Sequence, residues 1–173
     1  MFGLGAGKIE IRIPKTAYVV GEPIEGTLVL SVNSTVKARG VFLKLCAEQN
    51  FREYTYDSGS HHSHGHEHGH WTTTTKTVYN FVLQFDGERE YPRTPQPLSY
   101  PFRIFVPKEV ETLRQYARSS GTGNPVISIG PLQIGGDDSM GGEGPVGFPE
   151  WFLEGYLDLP LAFDVSTRVP LNF

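Results

Sequence analysis

Lys8-Ile-Glu-Ile-Arg-Ile13 decides how the chain is read: Ile9, Ile11 and Ile13 fall on one side of an extended backbone, and Lys8, Glu10 and Arg12 on the other. Such alternation marks a strand with one face against a core. Beyond it, Gly21-Glu22-Pro23 supplies a turn, after which Ile24, Leu28, Leu30 and Val32 again share a face. Gly26 interrupts that face, where a bulge or a close backbone approach is expected. Val41, Leu43 and Leu45 repeat the pattern, and Tyr79, Phe81, Leu83 and Phe85 give an aromatic-rich strand closed by Asp86-Gly87. Tyr100, Phe102, Ile104 and Val106 form another strand, whose neighbouring Pro101 and Pro107 suit an edge or irregular position. Two more strands run from Trp151 to Leu159 and from Phe163 to Phe173. Only Lys108 to Arg118 carries a helical period, with Val110, Leu113 and Tyr116 or Ala117 at three- and four-residue steps.

Seven or so short strands with a single helix predict an all-β fold, an immunoglobulin-like antiparallel β-sandwich, rather than alternating strand and helix units. The 173 residues suit one domain spanning residues 1–173. Within it, residues 119–149 hold nine glycines and four prolines and read as a long loop region, in which only Val126 to Ile129 and Leu132 to Ile134 have strand character. A hydrophobic share of 38% against 20% charged residues excludes whole-chain disorder. The formal charge of −4 argues against nucleic acid as a partner, since phosphate binding wants the opposite sign. Cys46 is the single cysteine, which excludes an internal disulfide and suits a reducing compartment. The N-terminal residues lack the pattern of a secretory signal, and no segment approaches the roughly 18 to 20 apolar residues of a membrane-spanning helix. A cytoplasmic protein is expected, with peripheral membrane association still open.

Several of these strands, taken in order, resemble the N-terminal domain of the arrestin family. The most specific stretch is Tyr18-Val-Val-Gly-Glu-Pro-Ile-Glu-Gly-Thr-Leu-Val-Leu30, flanked by Gly7-Lys-Ile-Glu-Ile-Arg-Ile13 and by Arg39-Gly-Val-Phe-Leu-Lys-Leu45. Ser99-Tyr-Pro-Phe-Arg-Ile-Phe-Val-Pro107 and Trp151-Phe-Leu-Glu-Gly-Tyr-Leu-Asp-Leu-Pro160 resemble later strands of that domain. The resemblance implies a non-enzymatic adaptor that docks proteins through sheet edges and loops, in trafficking or signalling. Two departures limit what carries over. The chain stops where the family begins a second sandwich, and Arg12 and Lys15 are the only basic residues near the family's phosphate-sensing place; because a lone domain cannot form the family's interdomain latch, phosphate sensing is not carried over. Pro97-Leu-Ser-Tyr100 is not the family's ubiquitin-ligase motif.

All six histidines lie in His61-His-Ser-His-Gly-His-Glu-His-Gly-His70, within a predicted hairpin tip at residues 57–71. His62, His64, His66, His68 and His70 alternate, so an extended backbone spaces them at roughly 6.6 Å on one side. Two or three imidazoles, His61 included, could bend toward one ion with bonds of about 2.0 to 2.1 Å. Zinc, nickel and copper all suit such ligands. The alternative is a solvated polar tip whose metal affinity has no role. No cofactor is required by either reading. The histidines also titrate near pH ~6.5, and protonating all six takes the formal charge from −4 to +2, concentrated at one tip.

Other candidates are thinner. Asp137, Asp138 and Glu143 lack the spacing of a calcium loop, and Gly3, Gly5 and Gly7 precede no strand-to-helix phosphate cradle. No Gly-x-Ser-x-Gly elbow occurs, Cys46 has no histidine beside it in sequence, and no nucleophile and base pair up for hydrolysis. Trp151 and Phe152 read either as partner anchors or as core residues. A lone sandwich leaves strand edges open, so self-association or an edge-covering partner is expected.

Overall fold

The computed structural model describes residues 5–56, 69–119, 127–129, 132–134, 144–160 and 164–173. Among them are eleven strands and one helix. The strands are β1 (Gly7–Arg12), β2 (Pro23–Val32), β3 (Val36–Ala38), β4 (Gly40–Tyr56), β5 (Gly69–Asp86), β6 (Arg89–Tyr91), β7 (Leu98–Phe105), β8 (Ile127–Ile129), β9 (Leu132–Ile134), β10 (Gly144–Asp158) and β11 (Val165–Leu171), and helix α1 is Glu109–Ser119. β1, β2 and β7 form a three-stranded sheet in that order, and a four-stranded sheet runs β11-β10-β4-β5. Two small pairs, β3 with β6 and β8 with β9, complete the inventory. The described residues of Met1–Ala47, Tyr79–Val110 and Glu150–Phe173 make one compact unit, and those of Glu48–Val78 and Glu111–Pro149 a second.

The first unit is built as the alternation requires. Ile9 pairs with Leu30 and Ile11 with Leu28 across β1 and β2, and all four side chains are buried. On β2 and β7, Ile24 faces Ile104 and Gly26 faces Phe102. Val41, Leu43, Leu45 and Ala47 of β4, with Leu153 and Leu157 of β10, are buried on the other sheet. That these two sets meet face to face is visible at Gly155 of β10, where an added Cβ would run into Leu28 Cδ1 and lie 3.1 Å from Ile9 and 3.3 Å from Ile11. Gly26 is a site of close approach as well, walled by the Arg12 carbonyl and by Phe102, and the β2–β7 register passes through it without a bulge.

The opposite face of the four-stranded sheet is polar and aromatic. Phe42 stacks on Tyr156 at 5.0 Å, Lys44 Nζ lies 4.2 Å above the same ring, and Arg168 bridges from Glu154 at 3.0 Å to the Phe152 ring at 4.3 Å. Charged heads thus stay toward water while their stems cover rings. The sheets are also joined at one edge. Tyr18 N donates to Asn172 O at 2.9 Å and Asn172 N to Thr16 O at 2.8 Å, a parallel bridge that extends β11 beyond Leu171.

Four elements differ from the sequence expectation. β10 starts at Gly144, seven residues before Trp151 and inside the stretch read as loop at 119–149. Its Pro145 and Pro149 offer no N–H, and Gly147 sits at φ 72°, but the Gln49 side-chain amide donates to the carbonyls of Val146 at 3.0 Å and Gly147 at 3.2 Å. β5 begins at Gly69 and includes Thr72–Thr75, whose β-branched side chains favour strand without any hydrophobic alternation. β3 and β6, of three residues each, are too short to show a period. The helix and both short strands β8 and β9 lie where the sequence puts them, and α1 buries Val110, Leu113 and Tyr116 as its spacing predicts. No helix among the described residues is long and apolar enough to cross a membrane.

Candidate protein interface

His61, His62, His64, His66 and His68 lie outside the described residues, as do Asp137, Asp138 and Glu143. His70 is exposed on β5 between Gly69 and Trp71. Among the described residues no group of three or more His, Cys, Asp or Glu comes together to hold a metal. Cys46 is buried, its thiol donating to Asn80 Oδ1 at 3.4 Å, so it packs as a small core residue. Trp151 and Phe152 are also buried, Trp151 within 5.2 Å of the Tyr79 ring and 5.3 Å of Phe173. The core alternative therefore holds for both, and neither is presented to a partner.

The exposed apolar side chains are different ones. Val19 is 69% and Phe105 58% exposed, and Val20, next to Val19 in sequence, is also exposed. Local chemistry explains why the valines stay out. Glu22 N donates to Val19 O at 3.0 Å and Gly21 holds φ 83°, the signature of a type II turn with Val20 and Gly21 at its centre. Gly21 N then donates to Val106 O at 3.0 Å, and Val106 N to Glu22 O at 2.9 Å, which fixes the turn against the end of β7. The Glu22 carboxylate accepts from Val19 N at 3.1 Å and from the Lys15 ammonium. The Lys15 hydrogen bond, with the Val19 N–H second, holds that carboxyl below the usual range. At this end of the three-stranded sheet a rigid turn and the last residue of β7 thus show Val19, Val20 and Phe105 to solvent. Arg103 lies 5.2 Å from the Phe105 ring and 3.0 Å from Glu25. The only sequence signal for this patch is a Val-Val pair inside turn chemistry, which alternation alone assigns to a core.

The basic residues at and just after the first strand are occupied locally, Lys8 lying 3.7 Å from Glu10. Arg12 donates to Glu10 at 2.8 Å, and Lys15 is held by Glu22. A phosphate would have to compete with two carboxylates.

A second polar cluster closes the hairpin end at Asp86. Gly87 N donates to Oδ1 at 3.0 Å, while Arg89 Nη2 and the Tyr100 hydroxyl donate to Oδ2 at 2.5 and 3.2 Å. Tyr100 also stacks on Phe85 at 5.5 Å, and Tyr91 donates to Gly87 O at 3.1 Å. Burial first, and then the Asp86 charge, push the Tyr100 phenol up to about 12. Nothing in this cluster forms a nucleophile with a base; it is a corner brace.

No family model matches the sequence, and no curated protein does. Among solved structures, the crystal structure of Spo0M, a sporulation control protein from Bacillus subtilis, superposes with a TM-score of 0.50 over 97% of this chain at 17% identity. The fold is an arrestin-like sandwich. This chain spans 49% of the length of Spo0M, and at such identity the likeness is one of architecture. The arrestin-like sandwich accounts for the order of strands but assigns no residue a role.

The raised Tyr100 pKa makes a specific prediction for alkaline stability. Because the fold favours the protonated phenol, its contribution is intact below about pH 10, where the unfolded side chain titrates, and is lost as pH rises toward about 12. Urea midpoints measured from pH 8 to 12 should fall more steeply above pH 10 in the natural chain than in Tyr100→Phe, with Tyr18, Tyr79, Tyr91 and Tyr156, also raised by burial, supplying the residual slope.

Proposed function

We propose that this chain is a non-enzymatic, arrestin-like adaptor domain acting in the cytoplasm, which docks protein partners through its loops and sheet edges. The observation that carries this reading is the exposed Val19-Val20 turn beside Phe105. A type II turn pinned by three backbone hydrogen bonds presents apolar side chains without flexible backbone. Preorganised apolar anchors of this kind lose little conformational entropy on binding. The likeness to an arrestin-like neighbour is consistent with the same reading, because the arrestin-like fold family is generally non-enzymatic. No nucleic acid is part of it, given the net charge of −4.

The test compares the natural chain with V19S/V20S/F105S as baits, after dichroism and denaturation show equal folding. Partners recovered by the natural chain should drop at least about tenfold with the triple variant, the loss of a central apolar anchor set. Equal recovery by both would move the interface elsewhere, and substrate turnover without partners would overturn the adaptor reading.

A second reading keeps the histidine tract as a metal- or pH-responsive element on the same scaffold, with His61, His62, His64, His66, His68 and His70 as ligands for zinc, nickel or copper. Its support is the sequence pattern, five histidines at alternate positions leading into β5. Calorimetry with zinc and nickel should give one or two ions bound below about micromolar affinity, lost when the alternating five are serine. Weak unsaturable binding would leave the tract a solvated tip.

A further inference from the structure

We propose that β5 pairs with β5 of a second copy of this chain, antiparallel and centred on Phe81. The strand ends the four-stranded sheet, so no other described strand pairs with its outer side. Strand edges of this kind are normally blunted by charge, proline or shortness. The other edges have such devices: β1 has six residues bearing Lys8, Glu10 and Arg12, β7 carries Pro101 and Arg103, and β11 carries Arg168 and Pro170 and continues into the bridge to Ala17. β5 is the exception. From Thr77 to Phe85 it contains no charged residue, proline or glycine. Phe81 is 40% and Val82 42% exposed, one on each face of the strand.

The occupant follows from the charges at the ends of this run. Lys76 and Asp86 bracket it at equal distances from Phe81. Turning a second β5 antiparallel about Phe81 therefore sets Lys76 of each copy opposite Asp86 of the other. The same register places Tyr79 against Leu83, Asn80 against Val82, and Phe81 against itself. Opposite charges flanking apolar and aromatic cross-strand pairs are the favourable arrangement in a sheet. Shifting the register by two residues breaks the Lys76–Asp86 match, leaving Asp86 opposite Thr74 or Val78 and Lys76 opposite Gln84 or, past the end of β5, Glu88. Lys76 already lies 3.0 Å from Glu53, and Asp86 is held by Arg89 and Tyr100, so the cross-copy pairs would extend existing networks without requiring bare charges. A heterologous peptide could fill the same edge, but nothing else on the edge selects one, whereas the strand is complementary to itself. The pairing does not depend on the adaptor reading.

Sedimentation of the full chain and register-specific crosslinking test it. The natural chain should show a reversible dimer, and Phe81→Lys, which sets two ammonium groups face to face, should weaken it at least about tenfold while its urea midpoint confirms folding. On mild oxidation Phe81→Cys should form a disulfide dimer, because residue 81 alone faces its own copy, whereas Asn80→Cys should not, and N80C/V82C should regain it. A strict monomer up to millimolar concentration, including one whose edge takes up an extended peptide instead, would overturn the proposal. So would equal crosslinking of Phe81→Cys and Asn80→Cys.

Discussion

At Gly155 the Leu28 side chain comes so close to the β10 backbone that no Cβ can stand between them. This contact, with Ile9 and Ile11 on either side, is where the three-stranded sheet of the first unit rests on the four-stranded one. Protein interiors are packed to crystal-like density, so a single missing side chain sets how near two layers can come. The alternation of β1 and β2 faces inward because the opposite layer is within reach. The polar and aromatic ladder of Phe42, Lys44, Glu154, Tyr156 and Arg168 faces outward on the reverse side of that layer. The approach at Gly155 is a point at which the two sets of buried residues touch.

That frame makes the exposed residues informative. Val19, Val20 and Phe105 are outside because a type II turn and its bonds to Val106 hold them there. Phe81 and Val82 are outside on a strand whose outer side no other described strand pairs with. Conversely, among the described residues Cys46 donates to Asn80, Arg12 and Lys15 are paired with Glu10 and Glu22, and Asp86 ties a corner together. The molecule offers surfaces for contact and no assembled pair for bond-breaking among its described residues.

The core strands were legible because β1, β2, β4 and β7 each bury one face, and a half-buried strand writes its period into the sequence. Gly26 was legible as a close approach, though not as the wall that Phe102 and the Arg12 carbonyl form. The start of β10 was not legible. Pro145, Gly147 and Pro149 spell a loop, and the Gln49 amide that supplies hydrogen bonds to two carbonyls lies almost a hundred residues away. The Val19-Val20 pair was hidden for a related reason: apolar identity says bury, and only the turn geometry says otherwise. The most visible chemical signal, the run of six histidines, leads into β5, of which His70 alone is described, on an exposed position beside Trp71, itself 49% exposed.

The claim that the two layers meet at Gly155 is most directly tested by a double-mutant cycle in chemical denaturation. Gly155→Val overpacks the contact and should cost about 1–3 kcal/mol, while Leu28→Ala alone should cost about 2–5 kcal/mol. Combined, the space opened by Leu28→Ala should accommodate the new valine, so the pair should cost about 0.5–3 kcal/mol less than the two single changes together. Strictly additive losses would mean that Gly155 and Leu28 do not face each other, and that the sandwich is assembled around some other contact.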